Sequence, residues 1–247
     1  MSIKCFVLDL DGVVYRGKKL VPNADKRIEN LRNKGKVLFL TNNSTLARSD
    51  YVKKLKDLGI SAEEEEIITS GYASALYIKE NYSNPRVFMI GEEGLKNELE
   101  TQGIKTGMSR CNVVLVGLDR NLNYIKIATA VKLIRGGADF LATNLDNTLV
   151  TEDSLLPGAG SIVSAVRTAC EKEPVVIGKP SHVMADIILR KAKFAPQEIL
   201  LIGDRIETDV AMGKKAGMKT ALVLTGYAKQ EDVDRSEIKP DYVLESL

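Results

Sequence analysis

Ile3-Lys4-Cys5-Phe6-Val7-Leu8-Asp9-Leu10-Asp11-Gly12 opens with an apolar run and stops on two carboxylates and a glycine. It reads as a buried strand, residues 3–9, that ends in a turn. The pattern recurs along the chain. Strand 37–40 runs into Thr41-Asn42-Asn43-Ser44, strand 175–177 into Gly178-Lys179-Pro180, and strand 199–202 into Gly203-Asp204. Helical patterns over 24–34, 46–58, 71–81, 183–193 and 208–215 lie between these runs, with Pro22 opening one helix and Gly35 and Gly59 closing two. The middle of the chain repeats the alternation, with strands 86–90, 112–116 and 140–142 among helices 92–101, 123–135 and 161–170. Strands 220–224 and 242–244 complete the series. Short strands alternating with helices predict βαβ units and a parallel sheet, the α/β class.

The 247 residues are ample for a hydrophobic core, and 44% apolar with 28% charged residues fits neither a disordered chain nor a membrane protein. Asp9 falls where a signal peptide would still be apolar, and no apolar run reaches the ~18 residues of a membrane span. A soluble, cytoplasmic protein is expected. The 35 basic and 33 acidic residues are mixed along the chain without a basic stripe, so no nucleic-acid partner is expected. Cys5, Cys111 and Cys170 have no C-x-x-C spacing, which argues against a disulfide framework or a zinc site. His182, the one histidine, would have to serve any Ser-His or Cys-His apparatus alone, and no G-x-S-x-G accompanies it. It is expected in the first turn of a helix.

Four strand-end clusters carry chemistry: Asp9-Leu10-Asp11-Gly12, Thr41-Asn42, Lys179-Pro180, and Gly203-Asp204 with Asp209. Ligands of open parallel sheets bind beyond the carboxyl ends of the strands, where all four fall. Asp9 and Asp11, two apart, point to one side and repel unless a cation lies between them or one holds a proton. Mg²⁺ suits such oxygens, and Asp204 is a candidate further ligand. An EF-hand reading fails at Val13, Val14 and Leu20, and a glycosyltransferase-type D-x-D leaves Lys179 without a task. Asp209 suits a helix cap as well as a place behind the metal. A phosphate dianion repels an attacking carboxylate, and Lys179 with a metal would reverse that sign. Thr41 and the Asn42 N–H supply neutral donors for the same oxygens.

These clusters resemble, in order, the four motifs of the haloacid-dehalogenase superfamily. The Thr41-Asn42-Asn43 form, Gly203-Asp204-Arg205-Ile206-Glu207-Thr208-Asp209 and the Leu224-Thr225-Gly226 tail are similar to its NagD-like, para-nitrophenyl phosphatase branch. The resemblance implies a Rossmann-like doubly wound core, residues 1–79 plus 177–247, with an α/β cap inserted over residues 80–176. It implies a Mg²⁺-dependent phosphatase in which Asp9 is the nucleophile and Asp11 the general acid and base. Asp9, Asp11 and Asp204 would hold the metal, with Asp209 behind them, while Gly12, Thr41, Asn42 and Lys179 surround the phosphate. Asn43, Asn144 and Asp146 are expected to meet a small phosphorylated metabolite, and a homodimer through the cap is a family-level expectation. A phosphotransferase or phosphomutase using the same intermediate, or a non-catalytic phospholigand-binding protein, are the alternatives.

Overall fold

The computed structural model describes residues 2–150 and 155–247. The chain divides into two compact units, one of Met1–Thr41, Tyr51–Ile68 and Lys179–Leu247, the other of Asn42–Asp50 and Thr69–Gly178.

The first unit is built on a six-stranded sheet. Its order is Tyr242–Leu244, Lys219–Val223, Ile199–Gly203, Cys5–Asp9, Lys36–Thr41, Ile67–Thr69. Cys5–Asp9 is buried at every position and pairs in parallel with Ile199–Gly203 on one side and Lys36–Thr41 on the other. Such a strand has no polar face, which explains the unbroken Cys-Phe-Val-Leu run. The chain leaves Cys5–Asp9 toward Lys36–Thr41 and later returns to its opposite side at Ile199–Gly203. That reversal of strand order makes the end of Cys5–Asp9 a topological switch point, the usual ligand position in such sheets. Helix His182–Ala192 buries Val183, Met184, Ile187 and Ile188, one apolar stripe at helical spacing, and Ser181 caps it by accepting from Val183 N at 3.2 Å.

The second unit has a five-stranded parallel sheet in the order Val175–Val176, Asp139–Ala142, Val113–Val116, Arg86–Ile90, Lys105–Thr106. Alternate residues serve two cores. Val113, Leu115, Val87 and Leu141 pack with Ala75, Ile78, Leu95 and Leu99 of helices Ser70–Asn81 and Glu93–Thr101. Val114, Val116, Phe88 and Phe140 pack with Ala130, Ile134, Ile162 and Val166 of helices Tyr124–Arg135 and Ala159–Cys170. Helices on both faces make the strand sequence Val-Val-Leu-Val apolar throughout.

The second unit starts earlier than the expected residue 80. Ala75 and Ile78 share its core, and the Arg48 guanidinium lies 3.2 Å from buried Glu98 and 3.8 Å from the Tyr72 ring centroid. Gly94 leaves no room for a side chain against the backbone of Thr45 and Leu46, where a Cβ would approach within 2.4 Å. Tertiary packing therefore groups residues 42–50 and 69–79 with the inserted segment, a grouping that local periodicity does not encode.

Other differences are local. The expected helix over 208–215 begins as a π-helical turn, Ile206–Val210, before the α-helix Ala211–Lys215. The short strand Ile67–Thr69 and the hairpin of Tyr15–Arg16 with Lys19–Leu20 carry too few residues for a periodic signal. Among the described residues no helix is long and apolar enough to cross a membrane.

Candidate active site

Register assembles the site of the first unit. Asp9 pairs with Leu40, which puts Thr41 one residue beyond it on the neighbouring strand. Leu8 pairs with Ile202, so Asp9 stands level with Gly203 and one step from Asp204 on the other side. Asp9, Thr41, Lys179, Asp204 and Asp209 are all buried. Such burial of charged groups demands partners. The Lys179 ammonium donates to Asp9 Oδ1 and to Asp209 Oδ1, each at 2.7 Å. Burial alone would lower the Lys179 pKa, but Asp209 and Asp9 more than reverse this and hold it well above the ordinary value.

Asp209 reaches the cluster because of the π-helical turn. Its carboxylate lies flat against Gly203, where a Cβ would come within 2.2 Å of Asp209 Cγ, and its second oxygen accepts from Arg205 N at 3.2 Å. Asp209 thus lies in the first turn of its element and in the buried carboxylate cluster at once. Asp204 Oδ2 accepts from Tyr227 N at 2.8 Å. Gly12, with φ +86°, adopts a backbone conformation that favours glycine, and a Cβ there would meet Asp204 Oδ2 at 2.3 Å. Asp11 keeps access to solvent, and its carboxylate lies 3.4 Å from the hydroxyl of buried Tyr15. Desolvation raises the Asp11 pKa, partly offset by Lys54 and then Lys179.

One oxygen from each of Asp9, Asp204 and Asp209 lies within 4.8 Å of the others. Hard divalent cations bind oxygen at about 2.0–2.6 Å, so ligands on opposite sides of one ion stand about 4–5 Å apart, and this cluster fits. Its electrostatics agree. Asp204 is pushed up to about 6, first by burial and then by Asp209. Asp9 is raised well above the usual carboxylate range by burial, against the pull of Lys179 and with the push of Asp209 and Asp204. Carboxylates crowded enough to resist ionisation gain most from a divalent cation.

Asn42, Asn43, Asn144 and Asp146 lie in the second unit. Asn42 Nδ2 donates to both oxygens of Asp146, at 3.1 and 3.3 Å, and the Asn42 carbonyl accepts from Asn144 Nδ2 at 2.8 Å. Asn43 folds back on its own turn, accepting from Thr45 N and Thr45 Oγ1 at 2.9 and 2.8 Å. His182 is exposed at the start of its helix. Gly203 and Gly226 stand within the quoted motifs, but their support of Asp204 and Asp209 from behind, and that of Tyr227 N, is not legible there. A glycine or a main-chain N–H carries no chemical signature of its own.

A Rossmann-like parallel sheet with an inserted α/β cap domain and a divalent-cation geometry at its strand ends defines a class of hydrolase. Two family models match the chain, one described as haloacid dehalogenase-like hydrolase over residues 6–105 and one as HAD-hydrolase-like over residues 176–247. The 5'-nucleotidase YutF of Bacillus subtilis is 36% identical over all of this chain and 96% of its own length. Phosphoglycolate phosphatase 2 of Arabidopsis thaliana is 36% identical over 98% of this chain and 90% of its own. Among solved structures, the 4-nitrophenylphosphatase of Thermotoga maritima superposes with a TM-score of 0.94 at 34% identity, covering 99% of this chain and 94% of that one. The chain belongs to the haloacid dehalogenase-like hydrolases, in their NagD and p-nitrophenylphosphatase-like family.

Proposed function

We propose that the protein hydrolyses small-molecule phosphate monoesters, with Asp9 as nucleophile. The observation that carries this reading is the Lys179 ammonium, 2.7 Å from Asp9 and from Asp209 within a buried three-carboxylate cluster at the strand ends. A cluster of this kind offers an attacking oxygen and the positive charge that an incoming phosphate dianion needs.

Asp9, Asp204 and the main-chain oxygen of Asp11 would hold Mg²⁺, with Asp209 behind them, and the bound ion would neutralise charge on the phosphate oxygens. Asp9 attacks phosphorus, and the bond to the leaving oxygen breaks as an aspartyl phosphate forms on Asp9. Asp11, whose pKa burial raises, gives a proton to the leaving oxygen. The ionised Asp11 then takes a proton from water, which attacks the aspartyl phosphate and releases inorganic phosphate. Lys179 and the Thr41 hydroxyl hold the phosphate oxygens. Two of the relatives carry the names of a 5'-nucleotidase and a phosphoglycolate phosphatase, which supports a small phosphorylated metabolite as the substrate class.

The test is hydrolysis of para-nitrophenyl phosphate with Mg²⁺ or with EDTA, comparing wild type and Asp9→Asn. Turnover that needs Mg²⁺ and falls by on the order of 10⁶-fold in Asp9→Asn is expected, the scale of the loss when a nucleophile is removed. Equal turnover by the two proteins would refute Asp9 as nucleophile.

A further inference from the structure

After strand Lys219–Val223 the chain turns through Leu224-Thr225-Gly226-Tyr227-Ala228, a stretch to which the mechanism above gives no task. Its contacts converge on Asp204 and on the turn after Asp9. The Thr225 hydroxyl donates to the Gly12 carbonyl at 2.7 Å. Tyr227 N donates to Asp204 Oδ2 at 2.8 Å, and Ala228 N to the Asp204 carbonyl at 3.0 Å. The Arg205 guanidinium lies 4.3 Å from the centroid of the Tyr227 ring.

Gly226 completes the arrangement. A Cβ on it would lie 2.0 Å from Asp204 Oδ2 and 2.3 Å from Asp204 Cβ, and a Cβ on Gly12 would lie 3.0 Å from Gly226 Cα. The Asp204 carboxylate is therefore packed between the α-carbons of Gly12 and Gly226. Gly12 also has a positive φ, whereas Gly226 does not. With no positive φ to call for glycine at 226, what requires it there is contact with Asp204.

We infer that Thr225–Tyr227 is a positioning clamp that fixes the Asp204 carboxylate for cation binding. The inference rests on the proposed role of Asp204 as a cation ligand. An unrestrained Asp204 side chain beside Asp9 and Asp209 would rotate away to relieve like-charge repulsion. The glycine walls block that rotation, and the Tyr227 N–H fixes the plane of the carboxylate. Thr225 ties the clamp to the Gly12 carbonyl, and so to the turn that carries Asp11. The ion then meets a ligand already oriented, and the cost of ordering it is borne by the fold. Loss of groups that orient metal ligands weakens metal binding by about 10–100-fold.

The experiment is titration of Mn²⁺, followed by the electron paramagnetic resonance of the free ion, into wild type, Gly226→Ala, Thr225→Val, Thr225→Ser and Asp204→Asn. Circular dichroism checks that each variant is folded. Gly226→Ala is expected to bind about 100-fold more weakly and Thr225→Val about 10-fold more weakly, while Thr225→Ser, which keeps the hydroxyl, stays within about threefold of wild type. Folded Gly226→Ala with wild-type affinity would overturn the clamp, as would Thr225→Ser binding as weakly as Thr225→Val. If Gly226→Ala does not fold, the two Thr225 variants decide alone. Binding lost in Asp204→Asn but intact in the clamp variants would refute the clamp and leave the cation site standing. Unchanged binding in Asp204→Asn would refute the cation site, and the clamp with it.

Discussion

Replacing Lys179 by methionine keeps the length of the side chain and removes its charge. The ammonium is 4% exposed and lies 2.7 Å from each of Asp9 and Asp209, whose side chains are 10% and 1% exposed. At an effective dielectric of 20, each pair at 2.7 Å is worth about 6 kcal/mol in gross Coulomb energy. Most of that is offset in wild type by the desolvation of all three groups, so the net loss is the roughly 3–5 kcal/mol of a buried pair broken from one side. Lys179→Met is therefore expected to lose about that much stability at pH 7.5 in EDTA. Mg²⁺ should restore part of it, because the ion neutralises the same carboxylates. The deficit should also narrow on acidification. Carboxyl groups without their ammonium have folded pKa values above their unfolded ones near 4, and wild-type Asp204 already stands at about 6. A carboxyl group raised in the folded state destabilises while ionised, and the penalty fades as pH falls through its folded value toward 4. Urea denaturation at pH 7.5 and 5, with EDTA or Mg²⁺, measures all three effects. A loss below about 1 kcal/mol in EDTA, or one that is the same at both pH values, would refute the argument.

Two further predictions concern the core sheet. Asp241 accepts from Lys214, Lys219 and both the backbone and side chain of Thr220, and although burial pushes its pKa upward these bonds take it well below the usual carboxylate value. A lowered folded pKa gives stability that is present above pH ~4 and is lost as the folded value is approached, so Asp241→Asn should cost about 1 kcal/mol at pH 7, and its gap to wild type should narrow steadily as pH falls below ~4 in thermal melts. Equal melting temperatures at pH 7 would contradict this. Burial, only partly opposed by Lys36, pushes the Cys5 thiol up to about 11. Iodoacetamide at pH 8 should therefore leave the Cys5 peptide unmodified in the native protein and label it once urea is added, and native labelling at the rate of a free thiol would disprove the assignment.

The amino-acid sequence by itself determined the α/β class and the strand-end positions of Asp9, Thr41 and Asp204, whereas the strand that precedes Lys179, Val175–Val176, belongs to the second unit's sheet. Apolar runs must be buried, and the first polar residues after them must lie at sheet ends. The order of the motifs was legible for the same reason. Their meeting was not, because strand neighbours are set by long-range pairing that no local pattern encodes. Only the tertiary structure brought Asp9 level with Gly203 and one residue short of Thr41, and only the π-helical turn folded Asp209 back onto Gly203 beside Lys179. It also assigned residues 42–50 and 69–79 to the second unit, through Arg48–Glu98 and the Ala75–Ile78 face. Gly226 and Tyr227 N lie furthest from what the sequence can say, since their support of Asp204 is main chain pressed against side chain. Residue identity specifies which chemistry is present, whereas distance, register and the space left by a missing Cβ exist only once the chain has folded.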